Sequence, residues 1–245
     1  MKRAVVQIPA YEEGRTVYET ATEISDQPVP EGWNVDYEAW VTLSPPDRDL
    51  CDTWQNAMAA ENVSVYEAPQ GKLSARNEAH DLAVARGYDA IVTWDADAPP
   101  LDSEALASLI QPLGEDGVVA TDSRPMSRTE RSLPDSAVDL FAGIEDRVFP
   151  HIHGQAHGMT VGAWRQAGPF DTDLDQTSLP DVRAEEEFMF RQRLERVGDI
   201  VRPEAAIVYN DPRRAYCKMP FMSSDHCTGR VGTFEKSENR GGWRR

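Results

Sequence analysis

Lysine is nearly absent from this chain. Only Lys2, Lys72, Lys218 and Lys236 are lysines among 25 basic side chains, which face 42 acids for a formal charge of −17 over 245 residues. So acidic a surface repels polyanions and excludes nucleic acid and anionic membrane surfaces as default partners. An acidic, lysine-poor surface also predicts adaptation to high salt, where screening removes its self-repulsion. Cysteine is scarce too. Cys51, Cys217 and Cys227 are odd in number and lack Cys-x-x-Cys spacing, which argues against a disulfide framework or a zinc ribbon and favours a reducing cytoplasm. No apolar run is long enough to span a bilayer, and Met1-Lys2-Arg3 leads straight into a strand pattern without a signal-peptide core. The expectation is a cytoplasmic protein, peripheral to a membrane at most.

What is present is alternation of strand and helix. Arg3 to Ile8 is a buried-strand pattern broken by Pro9, followed by the loop Ala10-Tyr11-Glu12-Glu13-Gly14 and a helix with apolar positions Val17, Ala21 and Ile24. Strands are then predicted over 37–43 and 63–67, with a helix over 50–60 between them. A further helix follows Gly71-Lys72, with Arg76 and Asn77 near its first turn, where backbone amides and a cation can face an anion. A strand over 88–94, a helix capped by Asp102 and a strand over 117–121 continue the series. This alternation predicts a parallel sheet covered by helices on both faces.

The strand over 88–94 ends in Asp95-Ala96-Asp97, and Pro99-Pro100 stops it from continuing. Ends of parallel strands are where such sheets bind ligands, so two carboxylates there suit a divalent cation holding a phosphate-bearing substrate. A polar turn capping a strand is the plainer alternative.

The second half is less regular. Residues 123–134 are polar and Arg-rich and are predicted to form a loop, as are 173–180, with a helix over 135–148 between them. His151, His153 and His157 cluster within a few positions, open to metal ligation, to substrate contact or to simple exposure. Residues 184–198 are predicted as a helix with Glu185, Glu186 and Glu187 at its start, where acids complement the dipole, and with a possible Glu187–Arg191 ion pair one turn on. Short edge strands are predicted over 199–201 and 205–209. The chain beyond Asp211 is irregular, and its last residues are expected to be disordered.

Four landmarks taken together resemble the family-2 glycosyltransferases. Val5-Val6-Gln7-Ile8-Pro9-Ala10-Tyr11-Glu12-Glu13 resembles the family's opening strand and loop, and Gly71-Lys72 with Ala75-Arg76-Asn77 its second landmark. Asp95-Ala96-Asp97 matches its Asp-x-Asp motif, and Glu186-Glu187, preceded by Gly168-Pro169-Phe170-Asp171, is similar to its Glu-Asp helix motif. The chain departs from the family at Glu12, commonly Asn, at the turn Ser44-Pro45-Pro46-Asp47 and at Glu187, commonly Asp.

The resemblance implies an α/β GT-A fold, a single Rossmann-like domain with a mixed, mostly parallel sheet. It places a nucleotide-sugar-binding half over 1–121, an acceptor half over 122–212 and an extension over 213–245. It also implies inverting transfer of one sugar from a UDP-, GDP- or dTDP-linked donor to a glycan, lipid-linked or protein acceptor. Mn²⁺ or Mg²⁺ would be held by Asp97 with Asp95, and by His226 from the C-terminal segment. Donor and acceptor contacts fall on Pro9, Ala10, Tyr11, Glu13, Lys72, Arg76, Asp95, His157 and Arg213. Glu187 is the expected base, with Glu186 its neighbour. A sugar-phosphate nucleotidyltransferase is the weaker alternative, because the Gly-rich basic loop expected after the first strand is missing. A non-catalytic nucleotide-sugar-binding protein of the same fold is the third.

Overall fold

The first strand sets the two layers. In β1 (Lys2–Ala10) alternate residues face opposite sides of the sheet. Ala4, Val6, Ile8 and Ala10 enter one core with α1 (Thr16–Ser25), α2 (Asp52–Ala59) and α4 (Ala105–Ile110). Val5 enters the opposite core with α3 (Lys72–Ala85), α5 (Val161–Ala167) and α6 (Pro180–Glu195). Helices therefore cover both faces, as the alternation predicts. The structure is a computed structural model that describes residues 1–11, 13–43, 52–126, 152–173 and 180–209, with only the helical path given for 180–185.

The remaining strands are β2 (Trp33–Thr42), β3 (Val63–Ala68), β4 (Ala90–Trp94), β5 (Val118–Asp122), β6 (Arg124–Met126), β7 (Ala156–Thr160), β8 (Asp199–Val201) and β9 (Ile207–Tyr209). Among the described residues, seven of the nine strands form one sheet in the order β3-β2-β1-β4-β7-β5-β8, and β6 pairs with β9 in a separate ribbon. β3, β2, β1 and β4 are mutually parallel, whereas β7 runs antiparallel to both β4 and β5. The sheet is mixed and mostly parallel. Strand order reverses at β1, with β2 on one side and β4 on the other, and that switch point opens a crevice at the carboxyl ends of β1 and β4.

Several sequence expectations shift. Pro9 does not break β1. It pairs with Trp40 of β2, beyond the last β1–β4 partners Gln7 and Thr93, so its missing N–H falls where one neighbour has already ended. Residues 124–126 are a strand rather than part of a loop. The helix expected at 184 begins at Pro180, a residue whose fixed φ suits a first helical turn. Glu185 to Glu187 therefore lie past the first turn, and the dipole explanation for them loses its basis. Arg191 pairs with Glu195 at 2.8 Å, not with Glu187. Glu12, the turn at 44–47, the predicted helix over 135–148, His151 and everything after Tyr209 lie outside the described residues.

Candidate active site at the carboxyl edge of the sheet

The turn after β4 is built to present one acid and bury another. Trp94 Nε1 donates to Ala98 O at 2.6 Å and the Ala98 N–H returns to Asp95 O, closing a tight loop. Asp95, Ala96 and Ala98 are buried while Asp97 is half-buried. The exit from the turn is stapled to β9, where Tyr209 N–H donates to Pro99 O and Leu101 N–H to Ile207 O.

Asp95 is gripped by α3. Gly71, with φ of 101°, takes a backbone conformation that disfavours other residues and starts the helix so that Lys72 and Arg76 fall one turn apart on the same face. Lys72 Nζ lies 3.1 Å from Asp95 Oδ2 and Arg76 Nη2 lies 3.1 Å from Asp95 Oδ1. Arg76 is only 1 % exposed, so its guanidinium does not face a diphosphate from this position. It instead joins three elements. The same Nη2 donates to Gly154 O at 3.0 Å, and Nη1 lies 3.6 Å from Glu187 Oε1 on α6. Asp95 and Glu187 balance the charge of the buried guanidinium, while its Nε and Nη1 make no hydrogen bond among the described residues.

Glu187 keeps about 20 % of its side chain exposed. Its neighbour Glu186 is buried and serves the scaffold. Glu186 Oε1 accepts from Arg193 Nη2 at 2.8 Å and from the Asp171 N–H at 3.1 Å. The turn that Glu186 holds is held again from α3, since Asn77 donates to Phe170 O and accepts from Phe170 N–H. Asn77 is thereby committed to this clamp rather than to an anion at the helix start.

His157 sits in the middle of the sheet on β7 and is 1 % exposed, so direct substrate contact is lost to burial. Burial, and then the nearby Arg76 charge, push its imidazole down to about 4, leaving it neutral at physiological pH. His80, behind Arg76 on α3, is lowered well below the usual range, by burial first and then by the charges of His157 and Arg76. The metal reading of the histidine cluster does not hold for its described members. His153 donates its backbone N–H to Asp122 Oδ1 and pairs through Nδ1 with Oδ2, whereas His157 Nδ1 meets the His153 carbonyl. Asp122 also receives Arg202. Burial pushes the Asp122 carboxyl up, but His153 and then Arg202 outweigh it and hold it at about 2.

The β1 loop lies at the same edge. Ala10 ends β1 opposite Val41, and Tyr11 follows with 49 % of its surface exposed. Glu13 O accepts the N–H of Thr16 at the start of α1. Of the residues singled out from the sequence, Lys72, Arg76, Asp95 and Glu187 are joined by ion pairs, with Asp97 in the turn that Asp95 begins and Tyr11 just past the end of β1. Sequence reading missed Gly154 and Gln155, whose carbonyls hold Arg76 and the Asp95 N–H, the latter at 2.8 Å. The only sequence signal for them was a glycine beside the histidines. Arg213 and His226 lie outside the described residues.

No sequence-family profile matches the chain, and no curated protein matches it. Solved structures do. The mannosyltransferase PcManGT of Pyrobaculum calidifontis, solved with GDP-Man and Mn²⁺, superposes with a TM-score of 0.63 at 19 % identity over 87 % of this chain and 59 % of its own. The fold is GT-A. TarS of S. aureus (residues 1–349) gives 0.60 at 15 % identity, covering 88 % of this chain and 62 % of that one. Glucosyl-3-phosphoglycerate synthase of Mycobacterium tuberculosis, with Mn²⁺, UDP and phosphoglyceric acid, gives 0.54 at 16 % identity, covering 86 % and 71 %. The chain thus spans about three fifths of the length of the mannosyltransferase and of the TarS fragment. Asp97, at the carboxyl edge of this GT-A sheet, is the accessible acid of the turn. Among the described residues no three His, Cys, Asp or Glu side chains converge to hold a metal alone.

Proposed function

We propose that this chain is an inverting, metal-dependent glycosyltransferase that moves a single sugar from a nucleotide-diphospho-sugar to an acceptor hydroxyl. The observation that supports this most is Arg76, which ties the strand-end acid Asp95 to the carboxylate Glu187 of α6 at the carboxyl end of β4. Residues 1–121 form the donor half and 122–212 the acceptor half, with 213–245 as an extension.

Asp97 fits a hard divalent cation, Mn²⁺ or Mg²⁺, because it is a half-buried carboxylate just past the carboxyl end of β4, two residues beyond Asp95. A cation there supplies charge neutralisation for the departing nucleoside diphosphate. Asp95 orients the turn through its two cationic partners and acts on the ligand only indirectly. Lys72, the more exposed of those two, is the one placed to release Asp95 and meet a phosphate. Tyr11 offers an exposed ring for the base, with Pro9, Ala10 and Glu13 shaping the pocket floor. Arg213 and His226, which lie outside the described residues, are assigned as diphosphate and metal contacts on the family resemblance alone.

Glu187 is the general base. Its carboxylate takes the acceptor hydroxyl proton as that oxygen attacks the anomeric carbon from the side opposite the leaving group, which inverts the configuration. Arg76 holds the carboxylate in place and balances its charge before the proton arrives. Glu186, held by Arg193 and the Asp171 amide, is assigned to the scaffold rather than to chemistry.

The test is a thermal-shift screen of UDP-, GDP- and dTDP-sugars with and without Mn²⁺ in high salt, followed by nucleoside diphosphate release for any donor that binds. One donor class is expected to raise the unfolding midpoint only with Mn²⁺, and Asp97→Asn to abolish that Mn²⁺ dependence. Equal donor stabilisation of the native chain with and without Mn²⁺ would sink the metal assignment. Binding without any turnover would leave a nucleotide-sugar-binding protein.

A further inference from the structure

We infer that Gly154 is a positioning residue for the base, a glycine kept so that the Glu187 carboxylate can seat against Arg76. The inference rests on the reading of Glu187 as the base. Gly154 has no backbone reason to be glycine, because the positive-φ glycines among the described residues are Gly14, Gly32, Gly71, Gly87, Gly117 and Gly168. What excludes a side chain is the neighbour. A Cβ added at 154 would overlap Glu187 Oε1 and come within 3.4 Å of both Glu187 Cδ and Lys72 Nζ.

The backbone at this point is pinned on every side. His153 N–H donates to Asp122 Oδ1 at 2.9 Å, Gly154 O accepts Arg76 Nη2 at 3.0 Å, and Gln155 O accepts the Asp95 N–H at 2.8 Å. Between a pinned backbone and the free end of a flexible glutamate, the glutamate yields. Any side chain at 154 therefore displaces the base from Arg76 while leaving the fold and the Asp97 turn in place. A misplacement of about 1 Å at a reacting group costs up to a hundredfold in rate.

The experiment is a double-mutant cycle between Gly154→Ala and Glu187→Asp, with Glu187→Gln alongside. Release of nucleoside diphosphate is followed with Mn²⁺ and GDP-mannose, UDP-glucose or UDP-N-acetylglucosamine. Gly154→Ala is expected to lower kcat by roughly ten- to hundredfold with the donor KM changed less than about twofold. In the Glu187→Asp background, where the shorter side chain clears the methyl, the same substitution is expected to change kcat less than about twofold.

An unimpaired Gly154→Ala, an equal loss in both backgrounds, or a loss that falls on KM overturns the assignment of Gly154 alone. Loss of the folded state in both backgrounds overturns it too, because the methyl would then meet the backbone and not the carboxylate. Full activity of Glu187→Gln, or no turnover by the native chain, instead removes the base reading on which the inference stands.

Discussion

Arg76 is a cation held out of water, and its surroundings bear on stability as much as on chemistry. Asp95 and Glu187 compensate it, so a second positive charge beside it would be unbalanced. That is the situation His157 would create by protonating. Its folded value near 4 lies below the ordinary 6.5, so between those values the unfolded chain binds a proton that the folded chain refuses. The associated stability is fully present above 6.5 and is lost as pH falls through about 4, and His80 shifts in the same direction. Denaturant unfolding of the native chain is expected to lose roughly 3 kcal/mol from this residue over that window, and His157→Gln to flatten that part of the profile. Asp122 acts in a separate window. Its stabilisation is present above the ordinary 3.8 and lost only as pH falls through about 2. Neither environment was legible beforehand. A sequence shows that an arginine or histidine is present, but whether it faces a ligand or a closed interior is decided by residues distant in the chain.

At the level of elements, α6 carries Glu187 and is held both by α5, where Trp164 meets Phe190 at 5.9 Å between ring centroids, and by the turn after α5. Gly168–Asp171 is clamped by Asn77 from α3 and by Glu186 from α6, and Phe170 packs against Phe190 at 4.3 Å between ring centroids. Removing the amide by Asn77→Ala strips the Phe170 N–H and C=O of their partners. The expected cost is about 1–3 kcal/mol in unfolding free energy, since unpaired polar groups at a partly buried turn lose their desolvation balance. If unfolding is unaffected, the clamp is not what holds the turn. Elements with a strong local period were legible. The apolar stripe of α1 and the β-prone runs of β1 and β4 lie where the periodicity puts them, within a few residues at their ends. Elements defined by partners were not. β7 runs antiparallel between β4 and β5, and β6 exists only because β9 pairs with it, so neither placement follows from a local pattern. The start of α6 at Pro180 was missed because Pro180, Asp181, Val182 and Arg183 show no apolar stripe and a proline reads as a break. Acids called a helix start therefore became a buried anchor, Glu186, and a crevice carboxylate, Glu187.

For the molecule as a whole the relevant quantity is the formal charge of −17, with lysine almost eliminated. Among the described residues most acidic side chains are exposed or half-buried, whereas the pairs Arg76 with Asp95 and Arg202 with Asp122 are inside or at the edge. These two populations respond differently to salt. The Debye length falls from about 10 Å at 0.1 M to about 3 Å at 1 M, which screens exposed charges from one another and leaves a buried pair nearly unchanged. Added salt should therefore relieve the acidic self-repulsion without loosening the Arg76 strap. The unfolding midpoint is expected to rise steeply from 0.1 M to about 1 M KCl and to fall again on dialysis, while Mn²⁺-dependent donor binding survives at high salt. Replacing a set of exposed acids by Gln or Asn should flatten the salt response, because it removes the repulsion at its source. A native midpoint that does not respond to salt would show that the acidic surface is not what limits stability, and the high-salt reading would fall while the site assignment stood.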